Sequence, residues 1–443
     1  MTLRFGTDGL RGLANAELSP ELALALGRAA ARTFPPGPVL IGRDTRRSGP
    51  MLESALAAGF ASEGRRVELA GVVPTPAVAY LSATDGGVGA MISGSHNPFP
   101  DNGIKLFLPG GRKLTDEIEE RLEAQVDAIL GGAVTEPLVG AGVGAVTSVH
   151  DRIEGYIASV VSSLDGRRLD GLEVVVDVGH GAAIEAAPAV LRRLGAHVTV
   201  LNDAPDGTNI NDGCGSTDPA ALARSVTDLG AHGGLAFDGD ADRLIAVDET
   251  GAVVDGDQII AVCAVDLYER GLLRENTVVV TVMSNLGFRL AMEQHGLAVV
   301  ETAVGDRYVL DALEDRQLSL GGEQSGHVIF TDHATTGDGL LTGVQLLDAV
   351  ARSRQPLSDL AGVVQRVPQV LTNVPVTGDA ARIVDQMADA VDQVAVSLGE
   401  SGRVLVRASG TEPVVRVMVE AVDADVAERT AATLARLVLD TAG

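Results

Sequence analysis

The sequence predicts an α/β protein in four parts: three successive α/β units and a smaller α+β unit at the C-terminal end. Two observations carry that reading. Apolar runs of strand length alternate with helix-length amphipathic stretches up to about residue 366, and the order then changes to strand, long helix, two strands and a closing helix. A third agrees with it: aromatic residues make up 3% of the chain and tryptophan is absent, so Ala, Val and Leu must fill the interiors, which suits helices laid on sheets. At 443 residues the chain exceeds what one core supports.

In the first unit, 1–150, Ser19 precedes Pro20 and Glu21 as a helix cap with proline in the first turn, and the helix runs to about 34 with Leu22, Leu26 and Ala29 on one face. Val39-Leu40-Ile41 reads as a buried strand leading into a polar loop, 43–46. Ser48-Gly49-Pro50 opens another helix, and strands follow at 67–69, 88–92 and 104–106. The Gly- and Val-rich stretch 131–144 breaks the pattern and reads as a linker.

The second unit, 151–251, reads as strand 174–177, helix 182–194, strand 198–201, helix 219–229 and strands 235–237 and 244–247. The third, 252–366, reads as helix 258–270, strand 278–282, helix 286–295 and strand 299–302. The fourth, 367–443, reads as strand 370–376, helix 380–398, strands 404–406 and 414–420, and a last helix. The three α/β units suggest a structural repeat, yet no residue motif recurs among them.

Charge and composition exclude several classes of function. A net charge of −26 argues against a nucleic-acid or anionic-membrane partner. No apolar run approaches the length that crosses a bilayer, and the N-terminus lacks a basic segment followed by an apolar one. Cys214 and Cys263 are the only cysteines and have no metal-ligand spacing, a pattern of reducing compartments, so the expected address is the cytoplasm. An anionic ligand would have to be drawn in by a local concentration of Arg, Lys, metal and backbone N–H.

Four polar clusters stand where strand signals stop, the position at which α/β sheets gather ligands. Ser93-Gly-Ser-His-Asn-Pro98 sets a hydroxyl beside an imidazole in a tight loop, although a plain polar turn explains it equally. Asp238-Gly-Asp-Ala-Asp-Arg243 puts three carboxylates at alternate positions, a set that can fold around one hard cation and that repels itself otherwise. Asp238, Asp240, Asp242 and Glu249 also mimic a calcium loop, but Arg243 stands where the sharp turn needs glycine. Gly321-Gly-Glu-Gln-Ser-Gly-His327 presents Glu323, Ser325 and His327 on a glycine-hinged loop suited to sugar hydroxyls, or to an ordinary connection. Arg407-Ala-Ser-Gly-Thr-Glu-Pro413, followed by Arg416, offers an arginine fork, hydroxyls and close N–H groups, a cradle for phosphate.

Other signals fall short. Gly179-His-Gly181 with Asp203 imitates a dinucleotide fingerprint, but Ile184 replaces the third small residue. There is no glycine-rich lysine loop for ATP, and nothing near Ser95 reads as a hydrolase nucleophile elbow.

In order, Phe5-Gly-Thr-Asp-Gly-Leu-Arg-Gly12 and the serine, aspartate, Gly322–His327 and Arg407–Pro413 segments resemble the α-D-phosphohexomutase family along essentially the whole chain. The resemblance implies three similar α/β domains with mixed sheets and a smaller fourth domain around a central cleft. It also implies a magnesium-dependent isomerase that moves a phosphoryl group between two hydroxyls of a sugar phosphate. Ser95 matches the serine that is phosphorylated, and Asp238, Asp240 and Asp242 match the Mg²⁺ ligands that share the ion with it. Glu323 and Ser325 match sugar contacts, and Arg407, Ser409, Gly410 and Thr411 match the phosphate site. The opening segment, Gly305-Asp-Arg-Tyr308 and Gln324 resemble bacterial members that interconvert glucosamine 6-phosphate and glucosamine 1-phosphate in cell-wall precursor synthesis. Glucose or mannose phosphates are the alternative substrates, and a non-catalytic sugar-phosphate sensor is the rival of another class. Gly94 and Ala408 depart from the family's usual Ala and Pro without removing a functional group.

On this reading the sugar's free hydroxyl attacks a phosphoserine, and the bisphosphate intermediate turns end for end before returning a phosphoryl group. Arg243 and Lys105 would offset the excess negative charge. The attacking hydroxyl needs a general base, for which Arg11, Lys105, His96 and His327 are candidates. Lys105 is the first choice, and His327 is the second, with a share in binding or reorienting the sugar. The expected partners are the sugar phosphate and the bisphosphate, with no nucleic acid and no membrane; a homodimer is compatible with the sequence.

Overall fold

A computed structural model describes residues 4–6, 9–133, 136–409 and 413–442. The chain divides into two units, Met1–Met283 with Leu297–Val363, and Ser284–Gly296 with Val364–Gly443.

The larger unit holds three mixed sheets. In the first, strands run in the order Phe5–Gly6, Gly9–Leu13, Asp101–Leu108, Val88–Ile92, Val39–Arg43, Val67–Val72 and Val146–Ser148. Val39–Arg43 is parallel to both Val67–Val72 and Val88–Ile92, whereas Val88–Ile92 and Asp101–Leu108 are antiparallel. The second sheet runs His197–Leu201, Glu173–Asp177, Gly233–Phe237, Leu244–Asp248 and Val253–Val254. The third runs Ala298–Thr302, Thr277–Thr281, Leu320–Gly322 and Val328–Phe330.

These sheets repeat one device that no residue motif announces. A strand parallel to its inner neighbour ends, the chain turns, and it returns antiparallel. The turns are 93–100, 238–243 and 323–327, so each polar cluster of the larger unit occupies the same place in its sheet. Strands such as Val88–Ile92 and Gly233–Phe237 are buried along their whole length, which fixes where each turn begins.

The smaller unit has an antiparallel sheet, Gln369–Pro375, Val414–Ala421 and Gly402–Ala408, covered by helices over a core of Val374, Val415, Val417, Leu434 and Val438. Gly402–Ala408 pairs antiparallel with Val414–Ala421, and the fourth polar cluster falls between them in the sequence. The segment Ser284–Gly296 packs with this sheet. The buried Glu420 carboxylate accepts from the Leu286 N–H at 2.9 Å, Asn285 Nδ2 at 3.2 Å and Arg403 Nε at 3.0 Å, while Arg403 Nη2 donates to the Ser284 carbonyl at 2.7 Å.

Smaller differences have local causes. The helix expected over 182–194 begins as a tight turn, Ala182–Ile184, and becomes α-helical over Ala186–Arg193, which puts Pro188 in the first turn where its missing N–H costs nothing. The helix expected over 380–398 is two, Ala380–Gln386 and Ala388–Leu398. Val253–Val254 pairs with Leu244–Asp248, carrying the second sheet past the expected boundary at 251. Beyond the expected linker, Val146–Ser148 joins the first sheet. No helix among the described residues is long and apolar enough to cross a membrane.

Candidate functional site

The serine loop starts from the buried strand Val88–Ile92 and places Ser95 fully buried with a left-handed backbone, φ 50°. Its Oγ donates to Asp238 Oδ2 at 2.7 Å and lies 3.3 Å from His96 Nδ1. The Ser95 N–H donates to Ser93 Oγ at 2.8 Å, and Ser93 Oγ donates to Asp44 Oδ2 at 2.7 Å.

Across from it, Asp238, Asp240 and Asp242 are buried together, and one carboxylate oxygen from each lies within 4.8 Å of the others. Thr75 Oγ1 donates to Asp240 Oδ2 at 2.6 Å, and Lys105 Nζ donates to Asp240 Oδ2 and Asp242 Oδ2, both at 2.9 Å. Asp240 Oδ1 and Asp242 Oδ1 are buried with no hydrogen-bond partner. Orphaned anionic oxygens this close together fit a hard divalent cation.

The carboxylates titrate apart. Burial and its two acidic neighbours push Asp238 well above the ordinary carboxylate range. Burial also acts to raise Asp240, as does the charge of Asp242, but Lys105 and Thr75 outweigh them and its pKa falls. Asp242 is held well below the ordinary range, because Lys105 and His327 overcome its burial. The flanks of this loop are antiparallel strands, and Glu249 accepts from the Ser358 N–H at 3.2 Å and from its hydroxyl, so the calcium-loop pattern has no counterpart in space.

The glycines of the dinucleotide-like segment have another use. A Cβ on Gly181 would fall 2.6 Å from the Gly239 carbonyl oxygen, and one on Gly239 would fall 2.6 Å from the Ser95 carbonyl oxygen. Three peptide chains meet here at a distance that excludes side chains.

Lys105 faces Met91 on the strand that follows the serine loop and is buried. Burial lowers its pKa, but Asp240 and Asp242 raise it more, so it stays an ammonium ion. In this geometry Lys105 balances the charge of Asp240 and Asp242. Burial pushes the half-buried His96 down to about 4, with Arg243 and Arg11 adding to the effect, so its imidazole is neutral at pH 7. Arg11 lies opposite Gly103; its burial lowers its pKa against the pull of the three aspartates. The Arg243 N–H donates to Asp238 Oδ1 at 3.2 Å, and its Nε stands 3.9 Å from Asp242 Oδ1.

The third loop adjoins the second, with the Leu244 N–H donating to the Gly326 carbonyl at 3.0 Å. His327 is buried; its Nε2 accepts from the Gly337 N–H at 3.1 Å, and its Nδ1 lies 3.8 Å from Asp242 Oδ1. Glu323 Oε1 accepts from the Gly305 N–H at 3.1 Å and Oε2 from Ser325 Oγ at 3.3 Å. Asp306, paired with Lys113, is held at about 2 against its burial and lies 3.5 Å from His327 Nε2. Gln324, expected to report on the substrate, directs its amide at 3.4 Å to Asp255, the cap of helix Gly256–Glu269.

In the smaller unit, Arg407 stands directly across from Arg416, which donates to Ser409 Oγ at 3.4 Å. Burial and then the facing charge lower the pKa of Arg407. Two guanidinium groups paired across strands repel each other and favour an anion between them. Gly410, Thr411 and Glu412 of this loop, like Thr7 and Asp8 of the opening segment, lie outside the described residues.

The larger unit thus brings together Ser95, Arg11, Lys105, the three aspartates, Arg243, Glu323, Ser325 and His327. Sequence reasoning passed over Asp44, Arg46, Thr75, Asn211 and Asp306. Thr75 had a readable signal, a hydroxyl beside a proline at a helix start, but nothing to name its partner.

Comparison with known proteins agrees with this arrangement. Models of the phosphoglucomutase/phosphomannomutase family match in four consecutive parts: α/β/α domain I at 2–131, domain II at 154–251, domain III at 255–367 and the C-terminal domain at 371–437. Phosphoglucosamine mutases of Streptomyces avermitilis and Thermobifida fusca are each 53% identical over 450 residues, covering 99% of both chains. That of Symbiobacterium thermophilum is 54% identical over 446 residues with the same coverage. Among solved structures, a phosphoglucomutase/phosphomannomutase family protein of Burkholderia thailandensis superposes with a TM-score of 0.83 at 26% identity, over 98% of this chain and 97% of that one. With every domain matched in order and the loops seated at equivalent sheet turns, the chain belongs to the phosphoglucomutase/phosphomannomutase family of α-D-phosphohexomutases.

Proposed function

We propose that this chain interconverts glucosamine 6-phosphate and glucosamine 1-phosphate, with Ser95 carrying the phosphoryl group and a sugar bisphosphate as intermediate. One observation supports the reading most: a serine hydroxyl bonded at 2.7 Å to a member of a buried aspartate triplet in which Asp240 Oδ1 and Asp242 Oδ1 lack hydrogen-bond partners. A sensor has no use for that pairing. Relatives more than half identical over nearly the full chain are named phosphoglucosamine mutases, which favours the amino sugar.

Magnesium, held by Asp238, Asp240 and Asp242 with the Ser95 phosphoryl group, would neutralise and polarise the phosphoryl oxygens. The chain's own groups do the rest. Lys105 and Arg243 balance the carboxylates and so allow a phosphoryl dianion to approach. His96, a neutral imidazole 3.3 Å from the serine oxygen, would take the serine proton when that oxygen attacks the bisphosphate. Lys105, His327 and Arg11 are the candidates for taking the proton of the attacking sugar hydroxyl. Glu323 and Ser325 would orient the sugar through its hydroxyls. Arg407, Ser409, Gly410 and Thr411 would hold the phosphate that is not reacting, and such groups bind it equally whichever carbon bears it.

Intact-mass analysis of the protein after exposure to glucosamine 1,6-bisphosphate should find one added phosphoryl group, located at Ser95. Ser95→Ala should bind glucosamine 6-phosphate but turn it over at background rate, and a chelator should abolish wild-type activity until Mg²⁺ is returned. Full-rate turnover by Ser95→Ala would end the proposal. Comparing kcat/KM for glucosamine, glucose and mannose phosphates tests the choice of sugar.

A further inference from the structure

Ser95 adopts a left-handed backbone, φ 50°, which a residue with a Cβ keeps only when its surroundings hold it there. What holds it is a pair of side chains acting on peptide carbonyls. Arg46 is fully buried, and its Nε donates to Asp44 Oδ2 at 2.9 Å. Nη2 donates to the carbonyls of Ser95 at 2.9 Å and Asn97 at 2.7 Å, and Nη1 to those of Pro98 and, at 3.0 Å, Asp101. Every N–H of the guanidinium is thereby used.

Asn211 reaches in from the second α/β unit. Its Nδ2 donates to the same two carbonyls, Ser95 at 2.8 Å and Asn97 at 3.2 Å. Each carbonyl oxygen therefore accepts twice, matching its two lone pairs. The Ser95 N–H is held as well, through Ser93 and Asp44, the carboxylate that also pairs with Arg46. Close approach is secured by Gly94, where a Cβ would stand 2.9 Å from Arg46 Cζ. The glycine at this departure from the family pattern is what leaves room for the guanidinium.

We propose that Arg46 and Asn211 are positioning residues for phosphoryl transfer at Ser95. Arg46 fixes the shape of the loop from within the first α/β unit. Asn211 ties that loop to the unit that carries Asp238, so the pair sets the spacing between the serine oxygen and the aspartates. Neither side chain contacts the aspartates or Ser95 Oγ; both act through the backbone. The inference rests on the reading of Ser95 as the phosphoryl carrier.

The test uses Asn211→Gly, which tolerates the left-handed backbone at 211 (φ 58°) and deletes the side chain with its amide, and Arg46→Lys, which keeps a cation beside Asp44 but loses the fork. For each variant, kcat, KM, the melting temperature and Ser95 phosphorylation by glucosamine 1,6-bisphosphate are measured. The expected result is a fall in kcat of about tenfold for Asn211→Gly and about a hundredfold for Arg46→Lys, with KM within about threefold of wild type. Should Arg46→Lys fail to fold, Asn211→Gly decides alone. Turnover within about twofold of wild type in a folded variant whose Ser95 is phosphorylated overturns the positioning role. A drop in kcat that comes with lost melting temperature and a proportionate rise in KM overturns it too, in favour of a structural role. If wild-type Ser95 never takes up phosphoryl and Ser95→Ala is fully active, the carrier reading fails first and the positioning role falls with it.

Discussion

Gly239→Ala probes how tightly the aspartate loop is set against the serine loop. The added Cβ would lie 2.6 Å from the Ser95 carbonyl oxygen, 2.8 Å from Ile210 Cδ1 and 3.0 Å from Asn211 Nδ2. A carbon–oxygen contact settles at about 3.3 Å, so a gap of about 0.7 Å must open. The isoleucine methyl can swing aside. The carbonyl cannot, because Arg46 and Asn211 both hold it. The strain must then move one loop relative to the other and stretch the 2.7 Å bond between Ser95 Oγ and Asp238. Overpacking of this kind costs about 1–3 kcal/mol of stability. A misplacement of about 1 Å near reacting atoms lowers a rate by about a hundredfold, so 0.7 Å should lower kcat by at least about tenfold. Steady-state kinetics with glucosamine 6-phosphate and a thermal unfolding midpoint measure both. A variant with wild-type kcat and an unchanged midpoint would mean that the loops have slack, and the reasoning from close packing would be wrong.

Three further substitutions test other parts of the fold. Thr75→Val deletes the donor that orients Asp240 at 2.6 Å and should raise the Mg²⁺ concentration for half-maximal activity about tenfold or more; an unchanged Mg²⁺ titration would remove Thr75 from the site. Burial raises Asp338 to about 6, so between about pH 4 and that value the folded chain binds more protons than the unfolded one and loses stability as pH rises. The slope amounts to about 3 kcal/mol, and Asp338→Asn should lack it; parallel pH–stability curves for the two proteins would refute the assignment. Gly155→Ala, on the exposed side of helix Ile153–Ser162, brings a Cβ to 3.7 Å from Tyr80 and should stabilise the chain by about 0.5–1 kcal/mol, read as a raised unfolding midpoint.

The polar clusters were legible because each pairs residue types suited to one chemistry at the end of a strand signal, though each taken alone also reads as a turn. Three aspartates at alternate positions can fold around one hard cation, and strand signals stood on both sides of 238–243. The strands around 323–327 were not legible, since Leu320–Gly322 and Val328–Phe330 are only three residues each and one includes a double glycine. Helix Gly339–Ser353 is buried on nearly every face, so it lacks the polar stripe that marks a helix in sequence. Helix Leu286–Gln294 was legible, but what it packs on was not. Amphipathicity shows that a helix packs against something; which partner that is depends on Asn285 and Glu420, 135 residues apart.

Arg46 and Asn211 escaped notice for a deeper reason. A side chain that pairs with another side chain leaves two traces in a sequence, a cation and an anion or a metal ligand and its fellows. A side chain that bonds peptide carbonyls leaves one, because every residue type supplies the acceptor. Arg46 spends four of its five N–H groups on such acceptors, so the sequence shows only an arginine in a polar loop. Lys105 is the opposite case: its charge was visible, but whether a buried lysine acts as base or counter-ion depends on which carboxylates fold around it. In this chain the chemistry of the loops can be read from residue types, while the parts that aim them are fixed by backbone geometry, here a left-handed serine whose carbonyl accepts from both of them.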